Sequence, residues 1–263
     1  MTTRRVSIPP LLLILGAVSI CFFSLPFVGL LTQAPWTDLP SLLGSSQALA
    51  AVRLSLICSL LSTIVAVVFG LPLAWILART EFRAKWIVRG VVLLPLVLPP
   101  VVGGVALILA LGRAGLIGGW LESVFGVTLF GTTAGVVVAE TFVSMPFLVL
   151  AVEAGLRSMN RRYEEAARTL GASPTFVFRR VTLPLVVPSL IAGAVLAWAR
   201  ALGEFGATIA FAGNLPDSTQ TVPLAVFVEL QRDVEGAVAL SLVLVAVSIA
   251  ILAVLRDRWM VAP

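Results

Sequence analysis

Residues 165–184 read EAARTLGASPTFVFRRVTLP, a charged and helix-forming stretch between two long apolar runs. Its spacing is Glu-Ala-Ala, three further residues, Gly171, nine residues, and then Val181, Thr182, Leu183 and Pro184. Charged side chains are costly inside a bilayer, so this segment is expected to lie in water between two membrane helices. We therefore expect this segment to have a function in the aqueous phase, and the rest of the sequence indicates what that function is.

The composition excludes an ordinary soluble domain. The 263 residues are 59% hydrophobic and only 12% charged, whereas soluble domains carry about 25% charge. The apolar runs are about twenty residues long and hydrophobic on all sides, unlike the alternating segments of about ten residues that build a transmembrane barrel. We therefore predict an all-α integral membrane protein, organised as a single transmembrane domain over residues 1–263.

Several functions are disfavoured by residue type. The net charge of +5 does not indicate a nucleic-acid partner, because the basic residues cluster in short loops where they set membrane topology. The chain has no histidine, the commonest general base and metal ligand, so we expect no catalytic or metal site and no cofactor. Cys21 and Cys58 lie inside apolar runs and are expected to be buried as small hydrophobic residues.

Six segments are long enough to cross a hydrocarbon core about 30 Å thick at about 1.5 Å per residue. They lie at 10–31, 50–78, 89–111, 132–156, 185–211 and 236–255. The first follows Arg4 and Arg5, as the apolar region of a signal peptide would. Its apolar run is longer than is typical of such a region, so we expect a retained first helix.

The loop charges predict the orientation, because Lys and Arg favour the cytoplasmic side. Fourteen of the 18 basic residues fall on one side of the six spans. They are Arg4, Arg5, Arg79, Arg83, Lys85, Arg89, Arg157, Arg161, Arg162, Arg168, Arg179, Arg180, Arg256 and Arg258. Both termini and the loop 157–184 are therefore predicted to be cytoplasmic.

Within that loop, local signals predict a helix, a tight turn and a second helix. Glu164 stands four residues before Arg168, the favourable order for a helical ion pair, within a short helix over 161–170. Gly171 suits the left-handed residue that ends a helix. Ser173 is a favoured N-cap, and Pro174 is favoured at the first helical position.

The surface of this element favours docking to a protein. Ala166, Ala167, Gly171 and Ala172 form a face of small residues that another protein can approach closely. The alternative is an amphipathic helix on the lipid surface, which the many arginines would favour. The part that ends at Ser173 lacks a face of Trp, Phe and Leu, and its carboxylates would be repelled by anionic lipid.

Two features within the spans indicate either a translocation path or ordinary packing between helices. Pro95, Pro99 and Pro100, followed by Gly103 and Gly104, interrupt the third span, and broken helices are tolerated where they line a cavity or are covered by protein. A simple packing kink is the alternative.

Arg200 and Glu204 lie one helical turn apart in the fifth span, within reach of an ion pair. An anion path would use Arg200, with Glu204 neutralising it so that the anion is not trapped. A purely structural pair stays equally open. Glu140 is expected to bond Thr141, Ser144 or a neighbouring helix.

With its six spans, the chain resembles the type I ABC importer permeases. Further similarity to molybdate permeases lies in LPLVLPPVVGG at 94–104, GRAGLIGGWLE at 112–122 and ARALGEFGATIAFAGN at 199–214. The resemblance covers residues 53–258, and the run GEFGAT at 203–208 favours the molybdate branch over the sulfate branch. Tungstate or sulfate remains an alternative cargo, and a secondary transporter is an alternative of another class, although no internal repeat is evident.

The resemblance implies a homodimer in the cytoplasmic membrane, two cytosolic ATPase subunits and a periplasmic or surface-tethered oxyanion-binding protein. ATP would bind the ATPase, because this chain has no G-x-x-x-x-G-K-[ST] sequence and its only lysine, Lys85, follows Ala84. The residues that would couple to the ATPase are Glu164, Glu165, Ala166, Ala167, Leu170, Gly171, Ala172, Ser173 and Pro174. The residues that would line the path are Arg200, Glu204, Thr208, Pro99 and Pro100, with Asn214 and Thr221 as neutral donors near the outer face.

Overall fold

The computed structural model describes residues 9–259, with side chains as far as residue 253. All regular structure in this part of the chain is helical, as predicted. The helices are α1 (Pro10–Thr32), α2 (Leu39–Leu43), α3 (Ser46–Arg79), α4 (Lys85–Val97), α5 (Pro100–Leu111), α6 (Gly118–Phe125), α7 (Thr133–Ser158), α8 (Arg162–Thr169), α9 (Pro174–Val177), α10 (Leu183–Leu202), α11 (Gly206–Phe211), α12 (Val222–Glu229) and α13 (Val234–Trp259).

Among the residues that the structure describes, five helical stretches are long and apolar enough to cross a membrane. They are Pro10–Thr32, Ser46–Arg79, Thr133–Ser158, Pro174–Leu202 and Val234–Ala253. Each coincides with one of the predicted spans, namely the first, second, fourth, fifth and sixth. The multi-pass character of the chain therefore follows from helix length and composition together.

The third predicted span is two helices rather than one. α4 ends at Val97 and α5 begins at Pro100, with Leu98 and Pro99 in extended conformation between them. The 12 residues of α5 reach only about 18 Å. The predicted interruption at the prolines is thus present, and a sixth crossing would need α4 and α5 to act together.

The fifth predicted span is shorter than expected. The helix that was predicted to run to residue 211 ends at Leu202, and a separate short helix, α11, follows at Gly206. Residues 203–205 carry non-helical backbone between them. Gly203 is the sequence signal for this break, since glycine is disfavoured in a helix interior and common where a helix ends.

α3, α7 and α10 form the centre of the bundle, and small residues let them approach closely. A Cβ added at Gly70 of α3 would lie 2.8 Å from Leu148 of α7, and one at Gly193 of α10 would lie 2.9 Å from Ala151 of α7. Close backbone approach through glycine and alanine is the usual means of packing helices in a membrane. Leu148 and Val149 are fully buried at this junction.

α1 stands apart from the bundle. None of its residues is buried, so its apolar surface is left for lipid or for another subunit. Cys21, which was expected to be buried, is exposed on this helix, whereas Cys58 on α3 is buried as predicted. The orientation predicted from Arg4, Arg5, Arg256 and Arg258 rests on residues or side chains that lie outside the described part of the chain.

Candidate functional site

Residues 161–182, which we call the EAA segment, fold as a helix, a turn and a second helix. α8 ends at Thr169, and Gly171 has φ +83°, the left-handed conformation expected of it. The Ser173 hydroxyl accepts a hydrogen bond from the Phe176 amide at 3.3 Å, and Pro174 is the first residue of α9. The predicted N-cap, first-turn proline and terminating glycine are all confirmed.

The second helix of the EAA segment, α9, continues through a π-helical turn, Phe178–Thr182, directly into α10. Pro184, at the start of α10, cannot donate a backbone hydrogen bond, and the wider π register accommodates the residue where a regular helix would clash. Sequence reasoning missed this turn, although Pro184 was its signal.

Glu164 faces the interior of the protein. One of its carboxylate oxygens lies 3.2 Å from Nε of Arg79, at the end of α3. The other oxygen accepts a hydrogen bond of 2.6 Å from the hydroxyl of Thr182. The predicted ion pair with Arg168 is therefore wrong, because a partner on another helix, sheltered from water, competes more effectively than an exposed arginine on the same helix.

The opposite face of the EAA segment is open. The exposed residues there are Glu165, Ala166, Leu170, Gly171, Ser173 and Pro174, with Ala167 and Ala172 half-buried. Leu170 is 88% exposed, which is unusual for a leucine unless lipid or another protein covers it. All predicted coupling residues except Glu164 thus lie on or beside one accessible surface.

The two broken helices meet at their breaks. A Cβ added at Gly206 of α11 would lie 2.8 Å from Cβ of Pro100, and one at Gly104 of α5 would lie 3.1 Å from Cα of Ala207. The start of α5 and the start of α11 therefore lie against each other, and glycine at both positions makes this approach feasible. The predicted path residues Pro100 and Thr208 are brought into one region in this way.

The predicted ion pair between Arg200 and Glu204 is confirmed. Nη2 of Arg200 lies 2.7 Å from Oε2 of Glu204, with the arginine side chain 28% exposed and the carboxylate 1%. The second oxygen, Oε1, accepts a hydrogen bond of 2.8 Å from the Ala207 amide. Glu204 thus joins the end of α10 to the start of α11 across the break.

Several buried polar groups of the bundle have no hydrogen-bond partner among the described residues. Within the described residues, the Thr208 hydroxyl, Oδ1 of Asn214, the Thr221 hydroxyl and one oxygen of Glu140 are buried and make no hydrogen bond. The expected bonds from Thr141 and Ser144 to Glu140 are not found, because both of these hydroxyls associate with Ser62 on α3 instead. Thr208 follows Glu204 by four residues, so at least one of these groups lies beside the break between α10 and α11.

A helical membrane bundle with an exposed helix–turn–helix and two interrupted helices is consistent with a transport permease, since broken helices in membranes are tolerated where they line a cavity or are covered by protein. Residues 70–261 match the sequence model of one such family, described as "Binding-protein-dependent transport system inner membrane component". This match spans most of the chain, and the chain belongs to that family.

Its curated relatives are permease proteins of transport systems. The chain is 45% identical over 229 residues to the molybdenum transport system permease protein ModB of Mycobacterium tuberculosis, covering 87% of this chain and 86% of the relative. It is 41% identical over 210 residues to ModB of Escherichia coli, covering 80% and 92%. The sulfate transport system permease protein CysT of Salmonella typhimurium is 38% identical over 223 residues, covering 84% and 80%. The predicted resemblance to molybdate permeases is confirmed.

Solved structures share the fold at low sequence identity. A bacterial ABC transporter involved in the import of the acidic polysaccharide alginate matches with a TM-score of 0.75 at 19% identity, covering 96% of both chains. The MetNI methionine ABC transporter, in inward-facing conformations, matches with a TM-score of 0.57 at 20% identity, covering 79% of this chain and 94% of the other. These likenesses establish the fold of an ABC importer permease.

Proposed function

We propose that the chain is the membrane permease subunit of an ATP-driven importer that moves molybdate inward across the cytoplasmic membrane. The observation that carries this proposal is the similarity to molybdenum permeases, at 45% and 41% identity over most of the chain. The sulfate permease is less similar, at 38%, which favours molybdate over sulfate. Tungstate, another tetrahedral oxyanion, is the alternative cargo.

The EAA segment is the part that would receive force from ATP hydrolysis. Its open face, with Leu170 projecting beside Gly171, offers an apolar contact and room for close approach. We infer that two ATPase subunits bind ATP and dock on this face in the two copies of the permease. Because the EAA segment continues without interruption into α10, a push on it would be transmitted to a membrane helix.

The proposed assembly also contains a second copy of the chain and an oxyanion-binding protein. α1 buries none of its apolar residues against its own bundle, which is consistent with a homodimer in which a second copy covers apolar surface. We propose six crossings, with α4 and α5 together forming the third, and cytoplasmic termini. An oxyanion-binding protein would then deliver cargo at the outer face.

Transport in a reconstituted system tests this proposal. The chain would be placed in proteoliposomes with an ABC ATPase subunit and an oxyanion-binding protein, and uptake of labelled molybdate would be measured with and without internal ATP. We expect uptake that requires ATP and is inhibited more by tungstate than by sulfate. Uptake without the ATPase would instead indicate a secondary transporter, and uptake of sulfate alone would exclude molybdate as the cargo.

A further inference from the structure

We propose that Arg79, Glu164 and Thr182 form an internal link that fixes the EAA segment to α3 and to the root of α10, so that movement of α8 moves both helices. The inference rests on the proposed function and concerns positioning residues that need not touch the cargo or the ATPase. It assigns a role to the one predicted coupling residue that the structure turns away from the open face.

One carboxylate joins three elements. Glu164 lies in the first turn of α8, Arg79 is the last residue of α3, and Thr182 is the last residue of the π-helical turn before α10. Oε2 of Glu164 lies 3.2 Å from Nε of Arg79, and Oε1 accepts the 2.6 Å hydrogen bond from Thr182. Both carboxylate oxygens are therefore used, each toward a different helix.

The link is sheltered from water. The side chains of Arg79 and Glu164 are each 7% exposed, and Thr182 is buried. Exposed ion pairs contribute little because water competes for both partners, whereas removing one partner of a buried pair leaves an uncompensated charge and is strongly destabilising. α8 is thus held to the membrane helices by a contact that does not readily open.

The two halves of the link differ in character. Nε and Nη2 of Arg79 are buried and make no hydrogen bond, so the arginine attracts Glu164 through charge rather than through an aligned pair of bonds. The bond from Thr182 is short and directional. The link to α10 is therefore a directional hydrogen bond, whereas the link to α3 rests on charge attraction between Arg79 and Glu164.

A second contact reinforces the first. Nη2 of Arg161, just before α8, donates a hydrogen bond of 3.3 Å to the carbonyl of Ala78 in the last turn of α3. Carbonyls at the end of a helix lack helical partners, and a cation there is favourable. α8 is therefore tied to the end of α3 from two neighbouring positions.

Adjacent carboxylates in α8 lie in different environments. Glu165, the glutamate of the Glu-Ala-Ala pattern, is exposed, whereas Glu164, one residue earlier, is buried. The exposed carboxylate is available to a partner on the open face, and the buried one is not. Glu165 would therefore contact the partner that moves α8, whereas Glu164 would pass that movement to α3 and α10.

The hydroxyl of Thr182 gives the sharpest test, because two substitutions of similar size separate hydrogen bonding from shape. Thr182→Val removes the hydroxyl and keeps the volume, while Thr182→Ser keeps the hydroxyl. In the complete transporter, Thr182→Val is expected to lower molybdate uptake per ATP hydrolysed, and Thr182→Ser is expected to retain it. Glu81→Gln is the control for lost charge, because Glu81 is 85% exposed in a surface pair with Lys85.

Amide hydrogen exchange of the full-length permease tests the link without cargo or ATP. In Thr182→Val we expect exchange in α8 to rise about tenfold, the effect of losing one hydrogen bond to a charged group, with exchange in α7 unchanged. Thr182→Ser and Glu81→Gln should match the wild type. Unchanged α8 exchange in Thr182→Val would overturn the link.

The double variant Arg79→Met with Glu164→Leu keeps the proposal testable if single charge removals do not fold, because replacing a buried ion pair by apolar residues is often tolerated. We expect it to assemble with the ATPase and to hydrolyse ATP with reduced uptake per ATP. Full uptake per ATP in this variant would show that the link is structural only. If the wild-type complex transports no oxyanion, the proposed function fails, while the exchange measurement still decides whether the link exists.

Discussion

At the scale of single residues, conformation and burial separate positions that look alike in the sequence. Gly171 is one of four glycines with positive φ among the described residues, at +83°, and a Cβ there would meet nothing within 4 Å. Its importance therefore lies in backbone conformation and in the open surface beside it, and not in internal packing.

Replacing Gly171 by valine is expected to weaken docking of the ATPase while the membrane bundle stays folded. A β-branched residue in the left-handed region costs about 1–2 kcal/mol, which would shift the turn that presents Leu170. The measurement is co-purification of the ATPase with the permease, together with ATP-dependent uptake. Gly126→Val is the matched control, because Gly126 also has positive φ, at +65°, and open space, but lies outside the EAA segment. Normal co-purification and normal uptake in Gly171→Val would contradict the docking face.

Arg200 is expected to matter for uptake beyond its effect on protein level. Arg200→Ala leaves Glu204 buried without its charge partner, so some loss of folded protein is expected from this substitution alone. Arg200→Lys keeps the positive charge and should preserve the fold. Uptake normalised to the amount of permease in the membrane distinguishes a role of Arg200 in transport from a role in folding. A normalised uptake equal to wild type in both variants would support a purely structural pair.

At the scale of elements, the sequence predicts features that depend on neighbouring residues and misses contacts between residues that are distant in the chain. The turn at Gly171, the N-cap at Ser173 and the interruption near Pro99 depend on residues within a few positions and were predicted. The ion pair of Glu164 was assigned to Arg168, four residues away, although its partner is Arg79 on another helix. A one-dimensional pattern holds no information about which buried charge lies across a helix interface.

The candidate site shows the same limit. The pair of Arg200 and Glu204 is local and was predicted, but the second bond of Glu204, to the Ala207 amide, depends on the break after Leu202. That break shortens the predicted fifth span. Gly203 signalled it, yet a single glycine in an apolar run is also compatible with a continuous membrane helix.

The contact between α5 and α11 should be sensitive to added volume. A Cβ at Gly104 would lie 2.5 Å from Cβ of Ala210 and 2.9 Å from the carbonyl of Ala207, so Gly104→Ala forces the two helices apart. Overpacking of this kind costs about 1–3 kcal/mol, and the apparent melting temperature of the purified permease measures the loss. Gly90→Ala on α4 is the control, because a Cβ there meets nothing within 4 Å, and its melting temperature should not fall. Equal melting temperatures for the two variants would mean that the breaks do not pack as described.

At the scale of the whole molecule, the bundle has a well-packed centre and large apolar surfaces. α3, α7 and α10 bury a continuous core, whereas α1 buries none of its residues. Lipid can cover such surfaces, but a path for an oxyanion cannot be lined by lipid, since an anion needs polar groups or water throughout. In the homodimer that we propose, each chain would give one wall of the path.

A homodimer predicts that identical copies approach each other along the membrane helix that follows the EAA segment. Leu196 lies on α10 and is 41% exposed, so a cysteine at this position can be tested for disulfide formation between copies in the membrane. The background would carry Cys21→Ser and Cys58→Ala, because these are the native cysteines. Co-expression of two differently tagged copies should give a crosslinked species that carries both tags and disappears on reduction. Failure of the two tags to co-purify from the assembled transporter, with or without crosslinking, would show that the complex contains one copy and that the second wall of the path comes from another protein.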